Sequence, residues 1–412
     1  MRRNRKGHFC YAEAVSVSDT VPVFSSRTPH DLALNPLARA LAAERARGLE
    51  ILDLTETNPT RVGLRQPESL LRSLADPASL AYDPHPLGHV SARDAIACDY
   101  ARRGRTVDPA SVLVTASTSE AYGFLFKLLC DAGDEVAVPQ PSYPLFEHLA
   151  RLESVNAVPY LLESSDGAWA IDRASLRRAV GPRTRAVLVV SPNNPTGSML
   201  TADDLAALVE CAASADAALI GDEVFADYVL RPSRRKTASV LDQDHVLAFA
   251  LGGLSKSVGL PQLKMAWTAV AGPEAVVREA IERLSFVGDT VLSVGTPVQR
   301  AAHALLEDGA ALRRSIHDRL ERNLSALEQT CAETRVATLL PVEGGWSAVL
   351  RLPEHADEEA LVLDLLRRGS VLVHPGYFFD FAEGAHLVIS LLPMPDVFDR
   401  AVACLCERIE RR

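Results

Sequence analysis

The stretch Leu254-Ser-Lys-Ser-Val-Gly-Leu-Pro-Gln-Leu-Lys-Met-Ala-Trp267 places Lys256 and Lys264 shortly after an apolar run over residues 246–251. Lysine is rare in this chain, since only five of its 43 basic residues are lysines and the rest are arginines. An amine can lose its proton and attack a carbonyl, whereas a guanidinium effectively cannot. Two lysines so close together in a chain that prefers arginine are therefore candidate reactive groups.

Short β-branched runs alternate with helical stretches from about residue 110 onward. The predicted strands are 111–115, 135–138, 186–190, 218–221 and 246–251, and the predicted helices between them are 120–131, 144–152 and 202–213. Near-continuous apolar strands separated by helices indicate a mainly parallel sheet that is covered on both faces. The sequence therefore predicts an α/β fold, with a large domain built on a seven-stranded type of sheet sandwiched by helices.

The pattern changes after about residue 272. Long Arg/Glu-rich amphipathic helices are predicted over 273–286 and 296–328, followed by strands at 347–352 and 387–391 and helices at 357–368 and 396–411. This mixture predicts a second, smaller α+β domain that includes part of the N-terminus. We expect an N-terminal tail or arm over 1–30, a small domain over 31–60 and 300–412, and a large domain over 61–299.

Composition narrows the class of protein. The 412 residues are 48% hydrophobic and 23% charged, as in ordinary globular proteins, and the net charge of −10 argues against nucleic acid as the main partner. No apolar run approaches the roughly 20 residues of a membrane span, and the basic N-terminus lacks the apolar run of a secretory signal. Seven scattered cysteines without a CxxC pair predict reduced thiols in a cytoplasmic protein with small-molecule substrates.

Polar motifs follow several of the predicted strands, at the edge where α/β sheets bind ligands. In Thr115-Ala-Ser-Thr-Ser-Glu120 a strand leads into a helix through Ser117, Thr118 and Ser119. The free N–H groups of a helix N-terminus and three hydroxyl groups suit a phosphate. A run of helix-capping residues explains the same pattern.

Two more motifs occupy the following strand ends. Ser191-Pro-Asn-Asn-Pro-Thr-Gly197 has the composition of a turn. Asp222 directly follows an apolar strand, where its carboxylate could hold a protonated ring nitrogen or merely cap a helix. Neither motif identifies a function alone, but the order in which all of these motifs occur along the chain is a specific signal.

In that order, a hydroxyl-rich turn, Tyr143, Asn-Pro-Thr-Gly, a strand-end aspartate and Ser-Lys, the sequence resembles the class I/II aminotransferases. These are fold type I enzymes that depend on pyridoxal 5′-phosphate, and they resemble aspartate aminotransferase. The resemblance covers nearly the whole chain. It implies an enzyme that transfers an amino group between an amino acid and a 2-oxo acid.

The resemblance assigns catalytic roles to Lys256, Asp222 and Tyr143. Lys256 would hold the cofactor as a Schiff base and then carry a proton as general acid and base. Asp222 would keep the pyridine nitrogen protonated, and Tyr143 would stack on the ring. Asn194 would donate a hydrogen bond to the ring hydroxyl.

The resemblance also implies a phosphate site and a partner subunit. The residues that would hold the phosphate are Ser117, Thr118, Ser119, Ser255 and Lys264. A tyrosine in the segment that matches Tyr82 reaches the phosphate of the neighbouring subunit in the family. Tyr82 therefore implies a homodimer with shared active sites.

Three positions depart from the family pattern. Phe225 replaces a tyrosine that helps to hold the ring hydroxyl, and Lys264 replaces an arginine that binds phosphate. Val388 stands where relatives have the arginine that grips the substrate α-carboxylate, a charge-assisted contact worth roughly 1.5–3 kcal/mol. Either another residue binds that carboxylate or the substrate is unusual.

We expect the replacement among a small set of residues. The stretch Glu56-Thr-Asn-Pro-Thr-Arg61 offers Arg61, with Thr57 and Asn58 beside it, although most arginines are simply exposed. His386 is the nearest candidate cation to Val388. Tyr377 belongs to an aromatic segment that either lines the substrate pocket or packs in the core.

Other functions remain as alternatives. A lyase, decarboxylase or cyclase of the same fold would suit an unusual amino acid. A regulator that binds the cofactor without turnover is a second alternative, but the retained Lys256 and Asp222 favour catalysis. No metal is predicted, because Pro84, Pro86 and Gly88 prevent the helix that would aim His85 and His89 at one ion.

Overall fold

A computed structural model describes residues 23–411 of the chain, except Asp31, Asp166, 232–235 and 354–355. The tail or arm predicted over 1–30 therefore lies outside the described residues, apart from 23–30. The described strands are β1 Leu52–Asp53, β2 Val112–Thr115, β3 Glu135–Gln140, β4 Asn156–Ser165, β5 Ala168–Ile171, β6 Thr184–Val190, β7 Ala218–Asp222, β8 Ala248–Gly253, β9 Ala266–Ala271, β10 Thr338–Leu339, β11 Ser347–Arg351, β12 Val371–Leu372, β13 His374–Pro375 and β14 His386–Ser390.

The α-helices follow the same order along the chain. They are α1 Pro36–Ala46, α2 Ser69–Arg72, α3 Val90–Arg102, α4 Thr118–Leu129, α5 Leu145–Leu152, α6 Arg173–Ala179, α7 Ala202–Ser214, α8 Leu254–Ser257, α9 Glu274–Val291, α10 Thr296–Arg300, α11 Ala302–Asp308, α12 Ala310–Thr334, α13 Glu358–Gly369 and α14 Pro395–Glu410. Within the described parts of the chain, none of these helices has both the length and the apolar character needed to cross a membrane.

The large sheet has eight strands in the order β2-β9-β8-β7-β6-β3-β4-β5. Strands β8, β7, β6, β3 and β4 run parallel to one another. Strand β9 is antiparallel to both of its neighbours, and β5 is a short antiparallel edge strand. The predicted α/β class and the mainly parallel sheet are confirmed.

Helices cover both faces of this sheet because successive strand residues point to opposite sides. Along β6, Leu188 and Val190 pack with residues of α4, α5 and α9 on one face. Val187 and Val189 pack with residues of α6 and α7 on the other face. The parallel strands are therefore apolar on both sides, which explains their near-continuous hydrophobic runs.

A second sheet, with the strand order β10-β11-β14-β13, is wholly antiparallel. Strand β1 pairs in parallel with β12, so that Leu52 lies opposite Val371. This pair brings a segment near the N-terminus into contact with the C-terminal part of the chain. The boundaries of the small domain, 31–60 with 300–412, stay a prediction.

One predicted helix is wrong in its extent. The stretch predicted as a helix over 296–328 forms α10, α11 and α12, with Gly309 between the last two. A Cβ atom at Gly309 would lie 2.7 Å from the side chain of Val258 and 2.5 Å from the carbonyl oxygen of Leu305. Close packing against the segment that follows Lys256 therefore requires glycine there. The hairpin formed by β4 and β5 was also absent from the prediction.

Candidate active site

A cavity of about 340 Å³ lies at the carboxyl edge of the large sheet, where the loops after β2, β3, β6, β7 and β8 meet. Its wall contains most of the residues that the sequence predicts to bind the cofactor. These are Ser117, Thr118, Ser119, Tyr143, Asn194, Asp222, Ser255 and Lys256, and the wall also contains Thr57. Parallel strands explain this convergence, because their carboxyl ends meet at one edge.

Lys256 lies on α8, the four-residue helix that directly follows β8. Its Nζ atom is 4.6 Å from the ring centre of Trp346 and 5.4 Å from that of Phe225. Burial lowers the pKa of Lys256 to about 8, against the opposing effect of the negative Asp222. A larger fraction of this amine is consequently unprotonated at neutral pH than for an exposed lysine, which suits a nucleophile.

Asp222 ends β7 and is buried. Its Oδ2 atom accepts a hydrogen bond from the Tyr122 hydroxyl at 3.0 Å, and its Oδ1 atom accepts one from the Val224 backbone N–H at 3.3 Å. Burial raises the pKa of Asp222 to about 6, and the two hydrogen bonds and the positive Lys256 oppose that increase. The carboxylate is therefore mostly ionised at pH 7 and can pair with a cationic ring nitrogen.

The hydroxyl-rich turn forms the N-terminus of α4. The Ser117 side chain accepts a hydrogen bond from the Glu120 backbone N–H at 3.1 Å, while the Glu120 carboxylate accepts one from the Ala116 N–H at 2.7 Å. This arrangement resembles a capping box, except that Glu120 bonds the N–H of the residue before the N-cap and not that of Ser117 itself. The capping interpretation thus applies to Ser117, and the helix N-terminus nevertheless lies in the cavity wall, where it offers an anion site together with Thr118 and Ser119.

The two adjacent asparagines of the turn after β6 have different surroundings. Asn193 is buried and donates to the Pro141 carbonyl at 3.0 Å and to the Thr196 hydroxyl at 2.9 Å. Asn194 lies in the cavity wall, 3.4 Å from the Ser347 hydroxyl. The first residue therefore holds the turn against the loop that carries Tyr143, and the second is available to a ligand.

Several predicted residues lie outside this wall. Lys264 is exposed, with a backbone φ of 50°, and Tyr82 lines a separate surface cavity. The side chain of Asn58 accepts hydrogen bonds from Thr60, and Arg61 is exposed. The backbone N–H of Tyr377 donates to Glu358 at 3.1 Å, and its side chain is likewise outside the wall.

His386 and Val388 both lie in β14, away from the cavity wall. His386 is buried and stacked on Phe381, with 4.2 Å between the ring centres. Burial lowers its pKa to about 4, so that the ring is neutral at pH 7 and does not supply the cation expected from the sequence. Val388 is buried and lies opposite Val349 of β11 on one side and His374 of β13 on the other. Of the described residues in the wall, only Lys256 is basic.

Several wall and support residues are not identified from the sequence. Tyr122 supports Asp222, while Phe146, Trp346 and Ser347 line the cavity. Tyr122 lies one turn into the helix that begins at the hydroxyl-rich motif, so its position was a usable signal. The pair Gly344-Gly345 before Trp346 is a sequence signal that the backbone there packs closely against another element. It does not indicate which element that is, so it does not place Trp346 in the site.

One group of metal-binding side chain types occurs in the described residues, formed by Asp83, His85 and His89. The loop brings the two histidine rings together without a helix, with 5.4 Å between their centres. However, the Arg300 guanidinium lies 3.5 Å from the Nε2 atom of His89, and its positive charge opposes a metal cation. We therefore assign no metal to this group.

Comparisons with known proteins agree with one another. Residues 51–403 match the family model described as aminotransferase class I and II. The chain is 29% identical over 388 residues to alanine aminotransferase of Mycobacterium tuberculosis (strain ATCC 25618 / H37Rv), covering 91% of this chain and 88% of that protein. It is 32% identical over 310 residues to the probable N-succinyldiaminopimelate aminotransferase DapC of Mycobacterium tuberculosis (strain CDC 1551 / Oshkosh), covering 72% and 75%.

The fold is also that of solved aminotransferase structures. Alanine aminotransferase from Pyrococcus furiosus superposes with a TM-score of 0.82 at 23% identity, covering 91% of this chain and 96% of that one. At this identity the similarity establishes the fold alone.

Proposed function

Because this chain belongs to the aminotransferase class I and II family, we propose that the cavity at Lys256 is its active site. The chain is a pyridoxal-phosphate-dependent enzyme that transfers an amino group between an amino acid and a 2-oxo acid. The observation that carries the proposal is the presence of the Lys256 amine, the Asp222 carboxylate and the N-terminus of α4 in one cavity wall.

The residues in the wall fit pyridoxal phosphate. Asp222 is a buried carboxylate whose two hydrogen-bond donors are neutral, and a protonated pyridine nitrogen would supply the cation that it lacks. The N-terminus of α4 suits the phosphate, and Ser255 adds a hydroxyl to the same wall. Lys256 would hold the cofactor covalently as a Schiff base. Asn194 would hold the ring hydroxyl, and Tyr143 would stack on the ring.

The bound cofactor supplies the electron sink that stabilises the substrate once a bond to its α-carbon breaks. The protein contributes proton transfer and orientation. With its pKa near 8, the Lys256 amine can take a proton from the substrate α-carbon and return it at neutral pH. Tyr122 holds the Asp222 carboxylate in place and in its ionised form. The relatives named above are aminotransferases, so a lyase, decarboxylase or cyclase gains no support from them.

For the substrate, we propose alanine as an amino donor. The relative from Mycobacterium tuberculosis that is 29% identical over 91% of this chain is named alanine aminotransferase, and the relative that is 32% identical acts, by its name, on a larger amino acid. The test mixes the cofactor-loaded protein with single amino acids and follows the absorbance change as the cofactor takes up the amino group. Alanine and N-succinyldiaminopimelate should be compared directly. Release of ammonia, carbon dioxide or sulfide without that change would contradict transamination.

We propose that the enzyme is a homodimer in which Tyr82 reaches the active site of the partner. Support comes from large apolar side chains on the surface, because Leu80, Tyr82 and Phe286 are 92%, 79% and 76% exposed. Tyr82 and Leu292 line the same surface cavity. Burying such a side chain contributes roughly 1.5–3 kcal/mol, which makes this surface a suitable interface.

Substitution of Phe286 tests the dimer. Phe286→Asp should shift the protein towards monomer in sedimentation equilibrium and weaken cofactor binding. Val276→Asp is the matched control, because Val276 is exposed on the same helix ten residues earlier. A monomeric wild type, or equal effects of both substitutions, would contradict the proposed interface.

Two further expectations stay proposals. A cytoplasmic location is supported by the free thiols of the six described cysteines, Cys98, Cys130, Cys211, Cys331, Cys404 and Cys406. The division into a large domain over 61–299 and a small domain over 31–60 and 300–412 is supported by the separation of the eight-stranded sheet from the four-stranded sheet and from the β1–β12 pair. Limited proteolysis and fractionation would test them.

A further inference from the structure

Two side chains hold the backbone carbonyl groups of Lys256 and of the residue that follows it. The Tyr228 hydroxyl donates to the Lys256 carbonyl oxygen at 2.7 Å. The Arg313 Nε–H donates to the Ser257 carbonyl oxygen at 2.9 Å. Both contacts lie at the C-terminal end of α8, directly behind the reactive lysine.

Such anchors are needed because α8 is only four residues long. A helix leaves its last four carbonyl groups without partners inside the helix, so in α8 no residue is fixed by regular helical hydrogen bonding alone. The Lys256 carbonyl also accepts hydrogen bonds from the backbone N–H groups of Val258 and Gly259, the latter at 3.3 Å. Both donors lie just beyond α8, so the side-chain contacts of Tyr228 and Arg313 connect the lysine backbone to more distant elements.

Each anchor is itself held firmly. Tyr228 is fully buried, and its ring packs against Trp346 with 5.3 Å between the centres. The Arg313 guanidinium lies 3.5 Å from Asp99 and 3.6 Å from Asp227, and all three side chains are at least 89% buried. An ion pair in such surroundings fixes a side chain in one orientation, because leaving one charge unpaired there is costly.

The helix that carries Arg313 also packs closely against the chain just beyond the lysine. A Cβ atom at Gly259 would lie 2.7 Å from Ile316 Cδ1 and 3.4 Å from Leu312 Cδ2. Residues 312, 313 and 316 lie on one face of α12, as their spacing requires. This face therefore contacts the backbone from Ser257 to Gly259 and leaves it little room to move.

We propose that Tyr228 and Arg313 are positioning residues that fix the Lys256 backbone and thereby aim its Nζ atom at the reacting atoms. The proposal rests on the proposed role of Lys256. Neither side chain lines the cavity, so neither is a catalytic residue. A misplacement of about 1 Å can reduce a rate by roughly 100-fold. Loss of one of two anchors should have a smaller effect, which we expect to be about tenfold.

The test compares Tyr228→Phe with Tyr160→Phe. Tyr160 is the matched control, because it is equally buried and its hydroxyl also donates to a backbone carbonyl, that of Leu188, at 2.8 Å. Both variants lose one buried hydrogen bond and should lose similar thermal stability. Only Tyr228→Phe should slow the half-reaction with an amino acid, about tenfold, with an unchanged substrate concentration at half-saturation.

A second readout does not depend on turnover. The cofactor-free protein is mixed with pyridoxal phosphate, and the formation of the covalent link is followed by absorbance. Tyr228→Phe should slow this step relative to wild type and to Tyr160→Phe. Arg313→Lys keeps the charge beside Asp99 and Asp227 but removes the Nε–H donor, and it should slow both steps.

The outcomes distinguish a failure of the proposed active site at Lys256 from a failure of the proposed positioning role of Tyr228 and Arg313. If borohydride reduction and mass spectrometry find the cofactor on a residue other than Lys256, the proposed function of the site is wrong. If the cofactor is on Lys256 but Tyr228→Phe behaves like Tyr160→Phe in both readouts, the role of Tyr228 is overturned. Wild-type rates for Arg313→Lys would overturn the role of Arg313 in the same way.

Discussion

The hydrogen bond between Tyr122 and Asp222 allows a quantitative prediction. Tyr122→Phe removes the donor to Asp222 Oδ2 and leaves the longer bond from the Val224 N–H. A hydrogen bond to a charged group contributes roughly 1.5–3 kcal/mol, which corresponds to about one to two pKa units. The pKa of Asp222, about 6 in the wild type, should therefore rise to roughly 7–8 in the variant.

This shift changes the charge of Asp222 at neutral pH. The ionised fraction at pH 7 should fall from about nine-tenths to between roughly one-tenth and one-half. Only the ionised carboxylate pairs with a protonated ring nitrogen, so the affinity for the cofactor ring should fall about two- to tenfold at pH 7. The difference should disappear near pH 9, where the carboxyl group is ionised in both proteins.

The assay uses pyridoxine 5′-phosphate, which has the same ring nitrogen and phosphate but no aldehyde. Lys256 therefore forms no covalent link with it. Dissociation constants for wild type and Tyr122→Phe are measured from pH 6 to pH 9, and their ratio is plotted against pH. Titration of the ligand itself is common to both proteins and cancels in that ratio.

The control is again Tyr160→Phe, which loses a buried hydroxyl group that donates to the Leu188 carbonyl and not to Asp222, and which should give a ratio near one at every pH. A pH-independent ratio for Tyr122→Phe would mean that its hydroxyl does not control the ionisation of Asp222. A ratio near one throughout would mean that the Tyr122 hydroxyl contributes nothing to the binding of the ring through Asp222. Either result would refute the reasoning from burial and hydrogen bonding.

The exposure of Arg61, the packing around Gly259 and the burial of Asp222 each lead to a testable expectation. Arg61→Ala should leave the Michaelis constant for alanine within about twofold of the wild-type value in steady-state assays. Arg61 is exposed and lies outside the cavity wall, and surface substitutions away from a site have small effects. Gly259→Ala should lower the urea midpoint more than Gly104→Ala, because both glycines have positive φ but only Gly259 lacks room for a Cβ atom. Asp222→Asn should stabilise the cofactor-free protein above about pH 6 in urea titrations. The reason is that the raised pKa of Asp222 makes wild-type stability fall as pH rises from about 4 to about 6. A difference in stability between the two proteins that persists at pH 4 would contradict this.

The strand-end motifs could be predicted because they are local. Ser117, Asn194, Asp222 and Lys256 each lie within a few residues of the end of an apolar run, and a parallel sheet brings such positions to one edge whatever the lengths of the helices between them. The order of these motifs in the sequence therefore predicts both the fold and most of the residues in the site.

Residues that depend on long-range packing could not be predicted in this way. Tyr122 contacts Asp222 across 100 positions of sequence, and Trp346 contacts Lys256 from the loop before β11. His386 is close to the departure at Val388 in sequence, but it is stacked on Phe381, and burial lowers its pKa so that the ring is neutral at pH 7. Sequence proximity therefore identified a candidate cation that the fold makes unsuitable.

The lysines show how the two kinds of information combine. Lysine scarcity marks Lys127, Lys236, Lys256 and Lys264 equally, but Lys127 pairs with Glu153 at the surface, and Lys236 and Lys264 are exposed. Lys256 is buried, and this burial lowers its pKa. That burial comes from the aromatic rings beside its Nζ atom, which belong to distant parts of the chain. The residue type thus supplies the nucleophile, and the tertiary fold makes it reactive at neutral pH.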